Sequence, residues 1–227
     1  MNRVRTNGIE LAYDVLGDAD AAPMVLLHGL GEQRTGWPGV HERLAEGFRV
    51  FAFDLRGHGD SDWPGEYSYD LMADDVCGAL DELGLTGVVL VGHSMGGDVA
   101  YRVAIRRPDL VDRLVVEDAT PPYARDRAIP EKPDQPVPFD WPVVPAIFGE
   151  VGTADTTAWE ALSTITAPTL VVAGGQESHV PQENLAEVAE RIPDCRLITI
   201  EAGHHVHTNA PSEFSAAVLD WLARPPA

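Results

Sequence analysis

Basic side chains are scarce in this chain. Its 227 residues carry 16 lysines and arginines against 36 aspartates and glutamates, a formal net charge of −20, and one lysine, Lys132. That imbalance excludes nucleic acid and anionic membrane surfaces as partners, because both require basic patches. It also disfavours polyanionic substrates. Long apolar runs are missing too, and none approaches the ~18 residues of a membrane span. The first residues, Met1 to Gly8, contain no apolar segment of the kind a secretory signal needs. Cysteine is reduced to two residues, Cys77 and Cys195, far apart in sequence. They are expected to be free thiols in a reducing cytosol, so a cytoplasmic location and a small-molecule partner are the expectation. Composition leaves the oligomeric state open.

What is present is an alternation of apolar runs and helical patterns. Ile9–Val15, Pro23–Leu27, Arg49–Phe53, Val88–Val91, Leu114–Glu117, Thr169–Ala173 and Arg196–Ile200 have the composition of strands. Trp37–Glu46, Tyr69–Leu83, Leu185–Arg191 and Pro211–Leu222 have helical patterns, and a further helix follows Ser94 and ends before Pro108. Such alternation predicts one α/β domain over residues 1–227, with a mostly parallel sheet covered by helices on both faces. Ile9–Val15 is expected to pair antiparallel. One segment, 119–157, breaks the pattern, with prolines at 121, 122, 130, 133, 136, 138, 142 and 145. An irregular insert of this length is usually functional. Its aromatic and apolar content, including Trp141 and Phe148, favours a segment that packs, such as a lid.

The most informative stretch is Val88-Val89-Leu90-Val91-Gly92-His93-Ser94-Met95-Gly96-Gly97. A strand-like run ends in Gly-x-Ser-x-Gly and a helical pattern begins at once, which is the context of a nucleophile elbow. A serine hydroxyl is a weak nucleophile without a base in hydrogen-bond reach and a third group to orient that base. Three further stretches accompany the elbow: Leu27-His28-Gly29-Leu30-Gly31, Asp54-Leu55-Arg56-Gly57-His58-Gly59-Asp60-Ser61, and Gly203-His204. In order and spacing the four together resemble the α/β-hydrolase fold, in its small-molecule serine-hydrolase or esterase-like form with a reduced cap.

The resemblance implies roles for particular residues. Ser94 is the nucleophile and His204, after the last strand, the base. The backbone N–H groups of Leu30 and Met95 form the oxyanion hole. The acid falls on Glu177, in the frame Gly174 to Pro181 where such enzymes usually carry aspartate. Asp118, after the preceding strand, is the alternative acid. Trp141, Phe148 and His205 are candidates for the substrate pocket. His28, His58 and His93 are expected to hold loops. A metal cluster at His204, His205 and His207 lacks an accompanying carboxylate or cysteine pattern, so neither metal nor organic cofactor is expected. The implied function is hydrolysis of a small, partly hydrophobic carboxylic ester, lactone or thioester through an acyl-enzyme. The alternatives are a non-hydrolytic binding protein or a lyase, such as one acting on cyanohydrins, on the same fold.

Overall fold

The computed structural model describes residues 1–123, 128–151 and 156–224. The strands form one eight-stranded sheet in the order β1-β2-β4-β3-β5-β6-β7-β8. They are β1 (Asn2–Thr6), β2 (Ile9–Leu16), β3 (Pro23–Leu27), β4 (Arg49–Phe53), β5 (Val88–His93), β6 (Val111–Glu117), β7 (Thr169–Ala173) and β8 (Cys195–Thr199). β2 pairs antiparallel with both β1 and β4, and every remaining ladder is parallel. The helices are α1 (Val40–Leu44), α2 (Tyr69–Leu83), α3 (Met95–Arg106), α4 (Val143–Val151), α5 (Thr156–Ala161), α6 (Gln182–Arg191), α7 (Val206–Asn209) and α8 (Pro211–Leu222).

The alternation of side chains along the strands builds two cores. On one face Val25, Leu27, Leu90, Leu114, Val116 and Val171 meet apolar side chains of α2, α3 and α6. On the other, Met24, Leu26, Val89, Val91, Val115 and Leu170 pack with Trp37, Phe214, Val218 and Trp221. Both faces of the central strands are covered, which is why those strands are continuous apolar runs. The first helix is shorter than the pattern from Trp37 to Glu46 suggests. Gly39 has φ 74°, a left-handed conformation, and caps the helix at Val40. The segment between β6 and β7 holds α4, α5 and a 3₁₀ turn at Leu162–Thr164. Positions 124–127 and 152–155 of the expected lid lie outside the described residues.

Two features of this frame position the site. The first is the approach of β3, β5 and α3 around the elbow. A Cβ on Gly92 would lie 2.3 Å from the Gly96 carbonyl oxygen, and one on Gly96 would lie 2.3 Å from that of Leu27. Both contacts are with backbone, so neither neighbour can swing aside.

The second feature is a pair of buried histidines that tie together the loops following β3 and β4. The Leu55 N–H donates to His28 Nε2 at 3.0 Å, while His28 Nδ1–H donates to the Gly29 carbonyl at 2.7 Å. The Gly31 N–H donates to His58 Nε2 at 3.2 Å, and His58 Nδ1–H donates to the Arg56 carbonyl at 3.0 Å. Each ring therefore needs a neutral imidazole with a bare Nε2. Burial is the main force lowering their pKa values, to about 4 for His28 and about 3 for His58.

Two measurements follow from this packing. Gly96→Ala is expected to lower unfolding stability by about 1–3 kcal/mol in urea titrations, the cost of overpacking a closed site; a midpoint equal to wild type would contradict the contact. The two histidines make stability depend on pH. In the unfolded chain they titrate near 6.5, so below that pH the unfolded state binds protons that the folded state refuses. Their contribution is complete above pH 6.5 and is lost as pH falls toward the folded values. The urea midpoint at pH 5.0 should lie below that at pH 7.5, and His58→Gln, which keeps an acceptor, should reduce the difference.

Candidate active site

The site gathers at the carboxyl ends of the parallel strands, where chain order reverses around β3 and β5 and loops diverge to leave a crevice. Ser94 follows β5 with φ 51° and ψ −114°. Such a conformation costs a non-glycine residue on the order of 1–3 kcal/mol and persists only where the surroundings impose it. Here they do: the Ser94 N–H donates to the Glu117 carbonyl at 3.1 Å, and the Gly97 N–H donates to the Ser94 carbonyl at 2.9 Å.

Ser94 Oγ–H donates to His204 Nε2 at 2.9 Å. His204 Nδ1–H donates to Asp118 Oδ2 at 2.7 Å. The imidazole is thus held in one tautomer, with its bare nitrogen toward the serine and its N–H toward a carboxylate. Asp118 follows β6 and is fully buried. It also lies in the left-handed region, at φ 46°. Of the described residues other than glycine, it shares positive φ only with Asn7 and Ser94.

The carboxylate that meets His204 is therefore that of Asp118, and the expectation of Glu177 is corrected on geometry. Glu177 is exposed. The loop that carries it does reach the acid, but as a source of donors. The Gly174 N–H donates to Asp118 Oδ1 at 2.8 Å, and the Ser178 hydroxyl donates to Asp118 Oδ2. Both Asp118 oxygens are thus met by the backbone and hydroxyl of that loop, and its own carboxylate turns to solvent.

The loop carrying Leu30 is pinned on both sides of that residue. The Gly29 N–H donates to Glu32 Oε2 at 2.8 Å, and the Gly31 N–H is held by His58. Leu30, Ser94 and Met95 line one cavity of about 390 Å³, together with His204 and His205. Trp141 and Phe148 also line it. The chain around Trp141 is fastened to the loop after β4: the Gly59 N–H donates to the Pro138 carbonyl at 2.8 Å and the Asp140 N–H to the Gly57 carbonyl at 2.7 Å. The Tyr67 hydroxyl donates to Asp140 Oδ2 at 2.6 Å. This clamp sets Phe139 near Gly31, where a Cβ would lie 3.2 Å from the ring.

Behind the triad lies a second polar layer that sequence reasoning did not assemble. His93 Nε2–H donates to the His204 carbonyl at 2.9 Å, and its Nδ1 lies 3.3 Å from Glu32 Oε2. Burial disfavours the His93 cation, but the charges of Glu117 and Glu32 outweigh it and lift its pKa to about 9. Burial likewise pushes the Glu32 carboxyl up, while the hydrogen bond and charge of His93 hold it well below the usual range. Glu117 lies at the buried end of β6, where its carboxylate accepts from the His207 N–H and from His207 Nδ1–H, each at 2.9 Å. The one signal for this layer was a glutamate closing the apolar run Leu114–Val116. Its partners, Glu32, His93 and His207, lie in three separate stretches.

Comparison with known proteins identifies the family. A family model described as the alpha/beta hydrolase fold matches residues 22–148. The mouse protein named sn-1-specific diacylglycerol lipase ABHD11 is 31% identical, over 95% of this chain and 86% of that one. The enol-lactonase from Burkholderia xenovorans LB400 superimposes with a TM-score of 0.86 at 23% identity, covering 98% of this chain and 100% of that one. A thermophilic esterase from Thermogutta terrifontis gives 0.81 at 28% identity, with 98% of each chain covered. With more than half its length matched by the model and a relative aligned nearly end to end, the chain belongs to the α/β-hydrolase family.

Proposed function

We propose that the protein hydrolyses small, partly hydrophobic carboxylic esters, lactones or thioesters through an acyl-enzyme on Ser94. The observation that carries the proposal is the unbroken hydrogen-bond chain from Ser94 through His204 to Asp118. Relatives named as lipase and esterase support ester-bond hydrolysis as the reaction class. A binding protein on this fold has no need of a serine, base and buried acid in register, so the chain favours an enzyme.

In this mechanism His204 Nε2 removes the Ser94 proton as Oγ attacks the carbonyl carbon. Asp118 stabilises the imidazolium that forms without itself taking the proton. The Leu30 and Met95 N–H groups hold the oxyanion, an arrangement worth several kcal/mol in a site shielded from water. His204 returns the proton to the leaving alcohol or thiol. It then activates a water, which attacks the acyl-serine and releases the acid. The cavity volume is that of small-molecule sites. Its aromatic walls, with Glu32 among the lining residues, and a net charge of −20 favour an uncharged acyl donor.

Hydrolysis of p-nitrophenyl butyrate tests the proposal. Ser94→Ala should lower kcat by at least about 10⁴-fold, and Asp118→Asn by about 10³–10⁴-fold. Glu177→Gln should stay within about twofold of wild type. Folded wild-type enzyme without activity on short esters, lactones and thioesters would overturn the assignment. Equal loss in Glu177→Gln and Asp118→Asn would overturn the choice of acid. Trp141→Ala and Phe148→Ala should raise KM by about five- to tenfold, about 1 kcal/mol of apolar contact, with kcat little changed. An unchanged KM in both would remove the lid from substrate binding.

A further inference from the structure

We propose that Glu32, His93 and His207 form a binding site for one divalent transition-metal ion of the Zn²⁺ or Co²⁺ class, directly behind the Ser94–His204 pair. One ligand atom from each of the three side chains lies within 4.8 Å of the other two. They come from three elements: Glu32 from the loop after β3, His93 from the end of β5, and His207 from α7. The carboxylate missing from the Gly203–His207 stretch is thus supplied from far away in the sequence.

Three observations carry the proposal beyond proximity. First, both imidazoles are already oriented in the way metal-bound histidines usually are, with the second ring nitrogen engaged by a carbonyl or carboxylate. His93 uses Nε2 on the His204 carbonyl, which leaves Nδ1 toward Glu32. His207 uses Nδ1 on Glu117, which leaves Nε2 as its donor atom. Second, a further imidazole stands within reach of the carboxylate: His205 Nε2 lies 3.3 Å from the other Glu32 oxygen, Oε1. The Glu32–His93 separation is also 3.3 Å. Ligand atoms around a tetrahedral ion at ~2.1 Å sit about 3.4 Å apart, so the edge from His93 Nδ1 to Glu32 Oε2 already has the required length. Third, a set of two buried imidazoles and one carboxylate, with a third imidazole close by, matches borderline nitrogen-preferring ions over Mg²⁺ or Ca²⁺, which demand oxygen ligands. His93 and His207 are each 1% exposed, whereas the His205 side chain is half exposed and gives an entry path.

An ion here would replace the Glu32–His93 hydrogen bond with coordination. Because His93 holds the His204 carbonyl, it would stiffen the loop that carries the base. It would take no part in the chemistry at Ser94.

Cobalt titration of the chelator-stripped full chain tests the site, with visible absorption and thermal unfolding as readouts. The expected result is one equivalent of Co²⁺ per chain, with the intense d–d bands of four- or five-coordinate nitrogen ligation and a raised Tm. His207→Ala and Glu32→Gln should abolish those bands. His205→Ala, at a half-exposed position that leaves the core intact, should weaken binding at least tenfold with the fold unchanged by circular dichroism. Absence of the bands in wild type would overturn the proposal. So would only the faint spectrum of six-coordinate oxygen ligation on surface carboxylates, or full retention of the bands in His205→Ala and His207→Ala.

Discussion

Everything in the site depends on the strained turn at Ser94. The residue is held at φ 51° because β5 must end and α3 must begin with no room between them. Gly92 and Gly96 make that possible, each lying against backbone where a Cβ would overlap. The strain is offset by the hydrogen bond from the Ser94 N–H to β6 and by the Gly97 N–H bond that closes the turn, and its product is a hydroxyl raised above the sheet edge with α3 starting beneath it. A second strained residue, Asp118, stands at the end of the adjacent strand β6. The parallel register of β5 and β6 pairs His93 with Glu117, so the residues that follow them, Ser94 and Asp118, emerge side by side. His204, arriving from beyond β8, needs only to fit between them.

Electrostatics extend this arrangement inward. The chain is strongly acidic, yet its buried polar layer sets carboxylates against imidazoles. Glu117 faces His207, Glu32 faces His93, and His93 reaches the backbone of His204. Buried charges are tolerable only when paired and fully hydrogen-bonded, and this layer meets that requirement within a few ångströms of the nucleophile. It gives the base loop a rigid support that a purely apolar core would lack. The same layer ties together β5, β6 and α7, so the geometry of the triad and the packing of the second core are not independent.

Much of this was legible in the chain. The apolar runs Pro23–Leu27, Arg49–Phe53 and Thr169–Ala173 coincide with β3, β4 and β7, because strands buried on both faces show no competing periodicity. Ser94 and His204 were legible because their turns carry glycines at fixed offsets. The acid was not. Local pattern placed it in the Gly174–Pro181 frame, and that loop does approach the base, but with an amide and a hydroxyl. Which carboxylate fills the space between them depends on how β6 ends relative to β8, a register that no local pattern encodes. β1 escaped notice because it is a five-residue edge strand whose alternation is too short to register. The layer of Glu32, His93, Glu117 and His207 is assembled by long-range topology, so single residues hinted at it without revealing their partners.

The central claim is that Ser94 is activated by the His204–Asp118 pair. Labelling with a fluorophosphonate probe, followed by peptide mass spectrometry, tests it without knowledge of the natural substrate. The account predicts one phosphonyl adduct per chain, located on Ser94, forming far more slowly in Asp118→Asn and at the wild-type rate in Glu177→Gln. Folded protein that takes up no probe would contradict it, as would an adduct elsewhere or labelling indifferent to Asp118.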